Sequence, residues 1–152
     1  MRRLTDSDYR HLLELRTGLR HFLSWSARQA KAAGLTPAQH QLLLAVRGHD
    51  RASGPTIGEL ADYLLVRHHS AVELVDRAAA TGLVARGVDP EDSRMVRVSL
   101  TAEGAGRLKR LSEHHLEEIA HLAPTMRELW SRLERAADGG PHPASPMGAG
   151  SP

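Results

Sequence analysis

The strongest constraint on the fold of this chain is a change of apolar periodicity between residues 57 and 100. Two segments with apolar residues at helical spacing come first, separated by a short turn, and two segments with alternating apolar residues follow. The helical segments are 57–64 and 68–81, and the strand-like segments are 83–88 and 95–100. The loop between the two strands is polar apart from one proline. The stretch is therefore predicted to fold as helix, turn, helix, strand, loop and strand.

This order of elements is that of a winged helix-turn-helix, whose second helix is shaped to enter the major groove of DNA while the loop, or wing, reaches a neighbouring groove. We therefore predict a mainly α protein with a small β-wing, and a function in reading DNA. The winged helix-turn-helix DNA-binding lobe would occupy residues 36–100. Only 3% of the residues are aromatic, which favours a core of Leu, Val and Ala between closely packed helices.

Further helices are predicted on both sides of this lobe. A long one covers 7–33 and ends at Gly34, where a left-handed cap is favoured. Another begins after the cap residue Thr101 and ends at Pro124, and a last helix follows this proline. We expect an N-terminal dimerisation helix, two C-terminal dimerisation helices that complete a helical dimerisation lobe, and a disordered tail rich in Gly and Pro. Their bounds are 1–35, 101–137 and 138–152.

The apolar stripes of these outer helices predict how the chain assembles. Because each stripe lies outside the DNA-binding lobe, the simplest way to bury it is against the other outer helices and against the same helices of a second copy, which gives a two-fold homodimer. The residues expected in the dimer interface are Leu12, Leu19, Leu111, His115, Ile119, Met126, Leu129, Trp130 and Leu133.

Composition and missing motifs exclude several other classes of protein. The chain has no cysteine, which excludes a thiol nucleophile, a disulfide framework and a thiolate metal site. It also has no Gly-rich phosphate loop and no Gly-x-Ser-x-Gly elbow, so we expect neither an enzyme nor a cofactor. No apolar run approaches the roughly 20 residues that span a bilayer, and no signal peptide precedes the first helix. A soluble cytoplasmic protein with no membrane partner is expected.

Four short motifs make the prediction more specific. They are LVDR at 74–77, GLV at 82–84, DSR at 92–94 and LTAEG at 100–104. In this combination the chain resembles the MarR family of transcriptional regulators over residues 35–122. The resemblance implies a homodimer that binds double-stranded DNA at a roughly palindromic operator, represses nearby genes and is released by a small-molecule effector.

The same resemblance implies that Arg94, at the end of the wing, reaches the minor groove, where narrow A·T-rich segments concentrate negative potential. Asp92 would brace this arginine by an ion pair, with Ser93 between them. Thr56, at a helix N-terminus, could offer its hydroxyl and N–H to a phosphate. The candidates for contacting bases and phosphates at the start of the second helix are Arg67, His68, His69, Ser70 and Glu73. Several of these depart from the usual family pattern, so no operator sequence can be transferred.

Two alternatives stay open from the sequence. His114, Glu118 and His121 lie on one helical face and would suit a metal-responsive regulator, although the preferred interpretation has no metal. The segment 55–100 carries five basic against seven acidic residues, which favours a winged module that binds protein and no DNA. Arg94 and the complete wing favour DNA binding.

Overall fold

A computed structural model describes residues 3–138 of the chain. The helices in this part are α1 (Asp6–Ala32), α2 (Pro37–Gly48), α3 (Ile57–Leu64), α4 (His68–Ala80) and α5 (Ala102–Ala137), and the strands are β1 (Val84–Val88) and β2 (Val96–Leu100). The predicted mainly α fold with a winged helix-turn-helix is confirmed. The predicted disordered tail 138–152 lies outside the described residues, apart from its first residue.

Local side-chain bonds set the ends of the first helices, as the sequence predicted. Thr36 and Thr56 are the N-caps of α2 and α3, and each forms a reciprocal capping box with the residue three positions later, Gln39 and Glu59 respectively. Gly34, which follows α1, has a φ of +75° and so adopts the left-handed conformation expected there. These short-range patterns fix the limits of α1, α2 and α3.

The prediction that Pro124 ends a helix is wrong, because α5 continues through it as one helix of 36 residues. A proline inside a helix removes one backbone hydrogen bond and crowds the preceding turn. The apolar stripe nevertheless runs without a break in spacing from Leu122 to Met126, Leu129 and Leu133, and Leu129 is buried. Burial of the stripe on both sides of the proline outweighs the lost bond, so the two predicted helices are one.

The wing is an antiparallel hairpin of β1 and β2, whose predicted limits agree with the structure to within one residue. Val84 pairs with Leu100 and Val88 with Val96, which leaves residues 89–95 as the connecting loop. A short bridge extends this sheet on the side of β2, because the Val98 N–H donates to the Pro55 carbonyl oxygen at 2.9 Å. The strand β2 is thereby tied to the segment that leads into α3.

The chain divides into two compact units, which differ from the lobes predicted from sequence. The larger unit, Leu23–Glu118, contains the winged helix-turn-helix together with the C-terminal part of α1 and the N-terminal part of α5. These helical parts belong with it because Ala30 and Leu108 share its core. The core includes Leu42, Leu43, Leu60, Leu74, Val75, Ala78, Leu83 and Val98.

The smaller unit consists, in its described part, of residues 3–22 and 119–138. Gly18 of α1 faces α5 closely, since a Cβ added there would lie 3.7 Å from Sδ of Met126. An ion pair at 4.0 Å joins Arg132 of α5 to Glu14 of α1. No helix within the described part of the chain is long and apolar enough to cross a membrane.

Candidate nucleic-acid interface

The N-terminal end of α4 exposes most of the predicted DNA-contacting residues. Arg67 is the N-cap of α4 and provides no side-chain hydrogen bond to the helix. The side chains of Arg67, His68 and His69 are exposed, and Ser70 is half-buried. Ala71, the next residue, is buried in the core and holds this end of the helix in place. The positive end of the helix dipole and three potential donors are therefore open to solvent at this end of α4.

The acidic residues of α4 are neutralised by arginines of the same unit. Glu73, a predicted base-contacting residue, lies 3.9 Å from Arg77 one turn later. Asp76 forms an ion pair of 2.6 Å with Arg86 on β1, which also ties α4 to the wing. Each of these two carboxylates therefore has a cationic partner within the same unit.

The wing loop exposes Arg94, which contacts Asp92. Its guanidinium contacts Asp92 through two hydrogen bonds, Nε to Oδ1 at 3.1 Å and Nη2 to Oδ2 at 3.2 Å, and the Arg94 N–H donates to Oδ1 at 3.0 Å. The Arg94 side chain is still 89% exposed. Its hydrogen bonds lower the pKa of the Asp92 carboxyl, so this partner stays charged. The arginine is oriented by its neighbour and remains open to solvent.

A second arginine of the wing, Arg97 on β2, is buried. Its Nε donates to Oδ2 of Asp89 at 2.5 Å, and its Nη1 donates to the Gly54 carbonyl oxygen at 3.1 Å and lies 3.4 Å from Oε2 of Glu59. The Arg97 side chain is only 10% exposed. This buried position was not predicted, because Arg97 alternates with the valines of β2 and so occupies the polar side of a predicted strand.

Asp89 is the residue that joins this buried arginine to the wing loop. Its Oδ1 accepts the N–H groups of Glu91 at 2.7 Å and Asp92 at 2.9 Å, while Oδ2 accepts from Arg97. These bonds, first the one from Arg97 and then the two backbone bonds, lower the pKa of Asp89 to about 2. The charged carboxylate therefore holds the first turn of the wing against β2.

The N-terminus of α3 is occupied by contacts within the chain. The Thr56 hydroxyl accepts the Glu59 N–H at 3.2 Å, and the Thr56 N–H donates to Oε2 of Glu59 at 2.8 Å. That backbone bond is the first cause of a lowered Glu59 pKa. The predicted offer of the Thr56 hydroxyl and N–H to a phosphate therefore competes with the capping box. His49 is buried beside Glu59, with its Nδ1 3.1 Å from the Tyr63 hydroxyl.

The histidines of the outer helices are not arranged as a metal site. Among residues 3–138 no group of three or more His, Cys, Asp or Glu side chains is placed to hold a metal ion, and this includes His114, Glu118 and His121. His115, predicted in a dimer interface, packs within its own chain. Its ring centroid lies 4.8 Å from that of His40.

His115 is also fixed by hydrogen bonds. Its Nδ1 lies 2.8 Å from the Leu111 carbonyl oxygen and its Nε2 2.7 Å from Oγ of Ser26. Because a carbonyl only accepts, Nδ1 carries the proton and the Ser26 hydroxyl donates to Nε2 in the neutral ring. Burial, and secondly the electrostatic interaction with His115, lowers the pKa of His40.

Comparisons with known proteins agree with this arrangement. A sequence model described as the MarR family matches residues 33–95, a segment that contains α2, α3, α4 and most of the wing. The transcriptional activatory protein BadR of Rhodopseudomonas palustris is 35% identical over 77 residues, which is 51% of this chain. The match spans 44% of BadR, less than half the length of that relative.

Solved structures share the fold over nearly the whole chain. AbsC, a MarR family transcriptional regulator from Streptomyces coelicolor, has a TM-score of 0.70 at 18% identity, with 91% of this chain and 97% of AbsC covered. A mutant of MepR from Staphylococcus aureus, bound to an oligodeoxyribonucleotide, has a TM-score of 0.61 at 16% identity, with 90% and 99% covered. The sequence match across the helix-turn-helix and the shared fold around it make the chain similar to the MarR family of transcriptional regulators.

Proposed function

We propose that this protein is a homodimeric transcriptional regulator that binds a palindromic operator in double-stranded DNA. The observation that carries the proposal is the exposure of Arg94 at the wing, oriented by Asp92, on the same unit that exposes Arg67, His68 and His69 at the start of α4. A helix N-terminus in the major groove and an arginine in the adjacent minor groove form the expected pair of contacts. Regulators of this family are generally not enzymes.

The proposed homodimer would bury apolar side chains that the single chain leaves exposed. Within the smaller unit, Leu12, Leu19, Ile119 and Trp130 are about half exposed, each at a position predicted for the interface. A set of large apolar side chains of this size is expected to be covered by another surface in a stable protein. Leu111 of the larger unit and Leu129 of the smaller one are buried within their own chain, so they would not lie on the surface of such an interface.

The dimer explains why a small-molecule effector would control DNA binding. Two recognition helices must lie about 34 Å apart to enter successive major grooves on one side of the duplex. A ligand can bind more tightly to dimers with one distance between these helices than to dimers with another. Such a ligand shifts the dimer towards or away from the form that binds the operator. We propose a repressor that such a ligand releases, acting in the cytoplasm where the operator lies.

Selection of binding sites from a random duplex library at near-physiological salt tests this function. The wild type should enrich a palindromic motif, because two identical half-sites face a two-fold dimer. Arg94→Ala should enrich it weakly, whereas the control Arg110→Ala, which removes an exposed arginine of α5, should enrich it like the wild type. Failure of the wild type to enrich any motif, or enrichment of a motif without symmetry by a protein that sediments as a monomer, would contradict the proposal.

A further inference from the structure

The buried Arg97 joins three parts of the larger unit that are far apart in sequence. Its side chain reaches from β2 to the carbonyl of Gly54, before α3, to Glu59 in the first turn of α3, and to Asp89 at the base of the wing. The backbone reinforces this junction, because Arg97 and Thr56 form a β-bridge. The contacts of Arg97 with Gly54, Thr56 and Glu59 therefore hold the wing next to the N-terminus of α3.

A continuous series of hydrogen bonds leads from this junction to the exposed Arg94. Arg97 donates to Oδ2 of Asp89, and Oδ1 of the same carboxylate accepts the Asp92 N–H at 2.9 Å. Asp92 in turn accepts the N–H and the Nε of Arg94 at 3.0 and 3.1 Å. Each carboxylate thus holds one arginine side chain and the backbone of the next part of the loop. A change at Arg97 would reach Arg94 through two residues.

We propose that Arg97 is a positioning residue that places Arg94 for contact with the minor groove by anchoring the wing to the N-terminus of α3. The inference rests on the proposed function, since it assigns a role in operator binding to Arg97. Because Arg97 is buried, it would act on the DNA only through Arg94. Arginine suits this place because its planar group donates in several fixed directions at once. A methionine of similar length would fill the space but would leave Asp89 without its side-chain donor.

A double-mutant cycle on operator affinity tests the proposal. In the wild-type background, Arg94→Ala should weaken binding of the selected duplex about tenfold. In the Arg97→Met background, Arg94→Ala should weaken binding by less than about twofold, because a wing without its anchor no longer presents Arg94. Equal losses in both backgrounds would overturn the proposal, since independent effects multiply. A control cycle replaces Arg97→Met with Arg110→Met on the surface of α5. In that cycle Arg94→Ala should weaken operator binding equally with and without Arg110→Met.

Asp89→Asn gives the same test if Arg97→Met fails to fold. The asparagine keeps the shape and the Oδ1 acceptor of the side chain, but it removes the charge that Arg97 contacts. Coupling between Asp89→Asn and Arg94→Ala is expected, and strict additivity in this second cycle would overturn the proposal as well. Circular dichroism of each variant establishes that the helices are intact before affinity is measured.

Hydrogen exchange in the free protein separates this inference from the proposed function. The N–H groups of Glu91 and Asp92, which donate to Asp89, should exchange at least about tenfold faster in Arg97→Met, while those paired between β1 and β2 keep their protection. Unchanged exchange at Glu91 and Asp92 would overturn the anchoring role, whatever the DNA result. If the wild type binds no duplex but these N–H groups lose protection in Arg97→Met, the proposed function fails and the anchor stands.

Discussion

Two arginine–aspartate pairs lie in the same hairpin and have opposite environments. Arg97 and Asp89 have side chains that are 10% and 7% exposed, whereas Arg94 is 89% exposed beside a partly exposed Asp92. An exposed ion pair contributes little to folding, because water competes for both charges. Removing one partner of a buried pair leaves a charge without compensation. The same pair of residue types therefore anchors the wing at Arg97 and leaves the guanidinium open to solvent at Arg94.

The largest effect is expected at the backbone beneath the buried pair. Gly54 has a φ of +80°, and a Cβ added there would lie 2.2 Å from the Val98 carbonyl oxygen. Gly54→Ala should therefore lower the free energy of unfolding by about 3 kcal/mol, since it adds a backbone clash to a left-handed conformation.

Gly82→Ala is the matched control for this substitution. Gly82 has a similar φ of +74°, but a Cβ there would meet no atom within 4 Å. We expect a loss of about 1 kcal/mol, which is the cost of the backbone conformation alone. Urea unfolding measures both losses. Equal losses of unfolding free energy in the two variants would show that the close approach of Gly54 to Val98 adds nothing to the cost of Gly54→Ala.

The next effect compares the two aspartates directly. Asp89→Asn should lower the melting temperature by about 5 °C, because a buried guanidinium loses its charged acceptor. Asp92→Asn should change it by less than about 1 °C, because that side chain pairs with an exposed arginine. Thermal unfolding monitored by circular dichroism measures both. A larger loss from Asp92→Asn would reverse the roles assigned to the two pairs.

The smallest effect is a dependence of stability on acid pH. The pKa of Asp89 is lowered from 3.8 to about 2, so its contribution to stability is fully present above about pH 4 and is lost as the pH falls towards 2. The difference in unfolding free energy between wild type and Asp89→Asn should therefore shrink over this range. A constant difference for Asp89→Asn would contradict the lowered pKa.

Parts of this structure that depend on neighbours in sequence could be predicted. The capping boxes at Thr36 and Thr56, the left-handed Gly34 and the limits of both strands follow from patterns within a few residues. Arg94 and its contact with Asp92 belong to the same group, since the two residues are separated by one position. In each of these cases all of the residues involved lie within a few positions of one another in the sequence.

Other parts depend on partners that the local pattern does not contain. Arg97 is buried because Gly54 and Glu59, 43 and 38 residues away, supply acceptors at its position. The continuation of α5 through Pro124 likewise depends on packing of the apolar stripe beyond it. Leu65, with a φ of 53° in the turn between α3 and α4, is a non-glycine residue in a left-handed conformation that no turn motif in the sequence indicated.

The salt dependence of operator binding tests most directly the claim that the exposed arginine meets DNA while the buried one supports it. For the wild type, the logarithm of the association constant should fall steeply and linearly with the logarithm of salt concentration. Arg94→Ala should reduce the magnitude of that slope by about one, whereas Arg110→Ala should leave it unchanged. A wild-type slope near zero, or equal slopes for Arg94→Ala and the wild type, would contradict the account and would favour a winged module that binds protein.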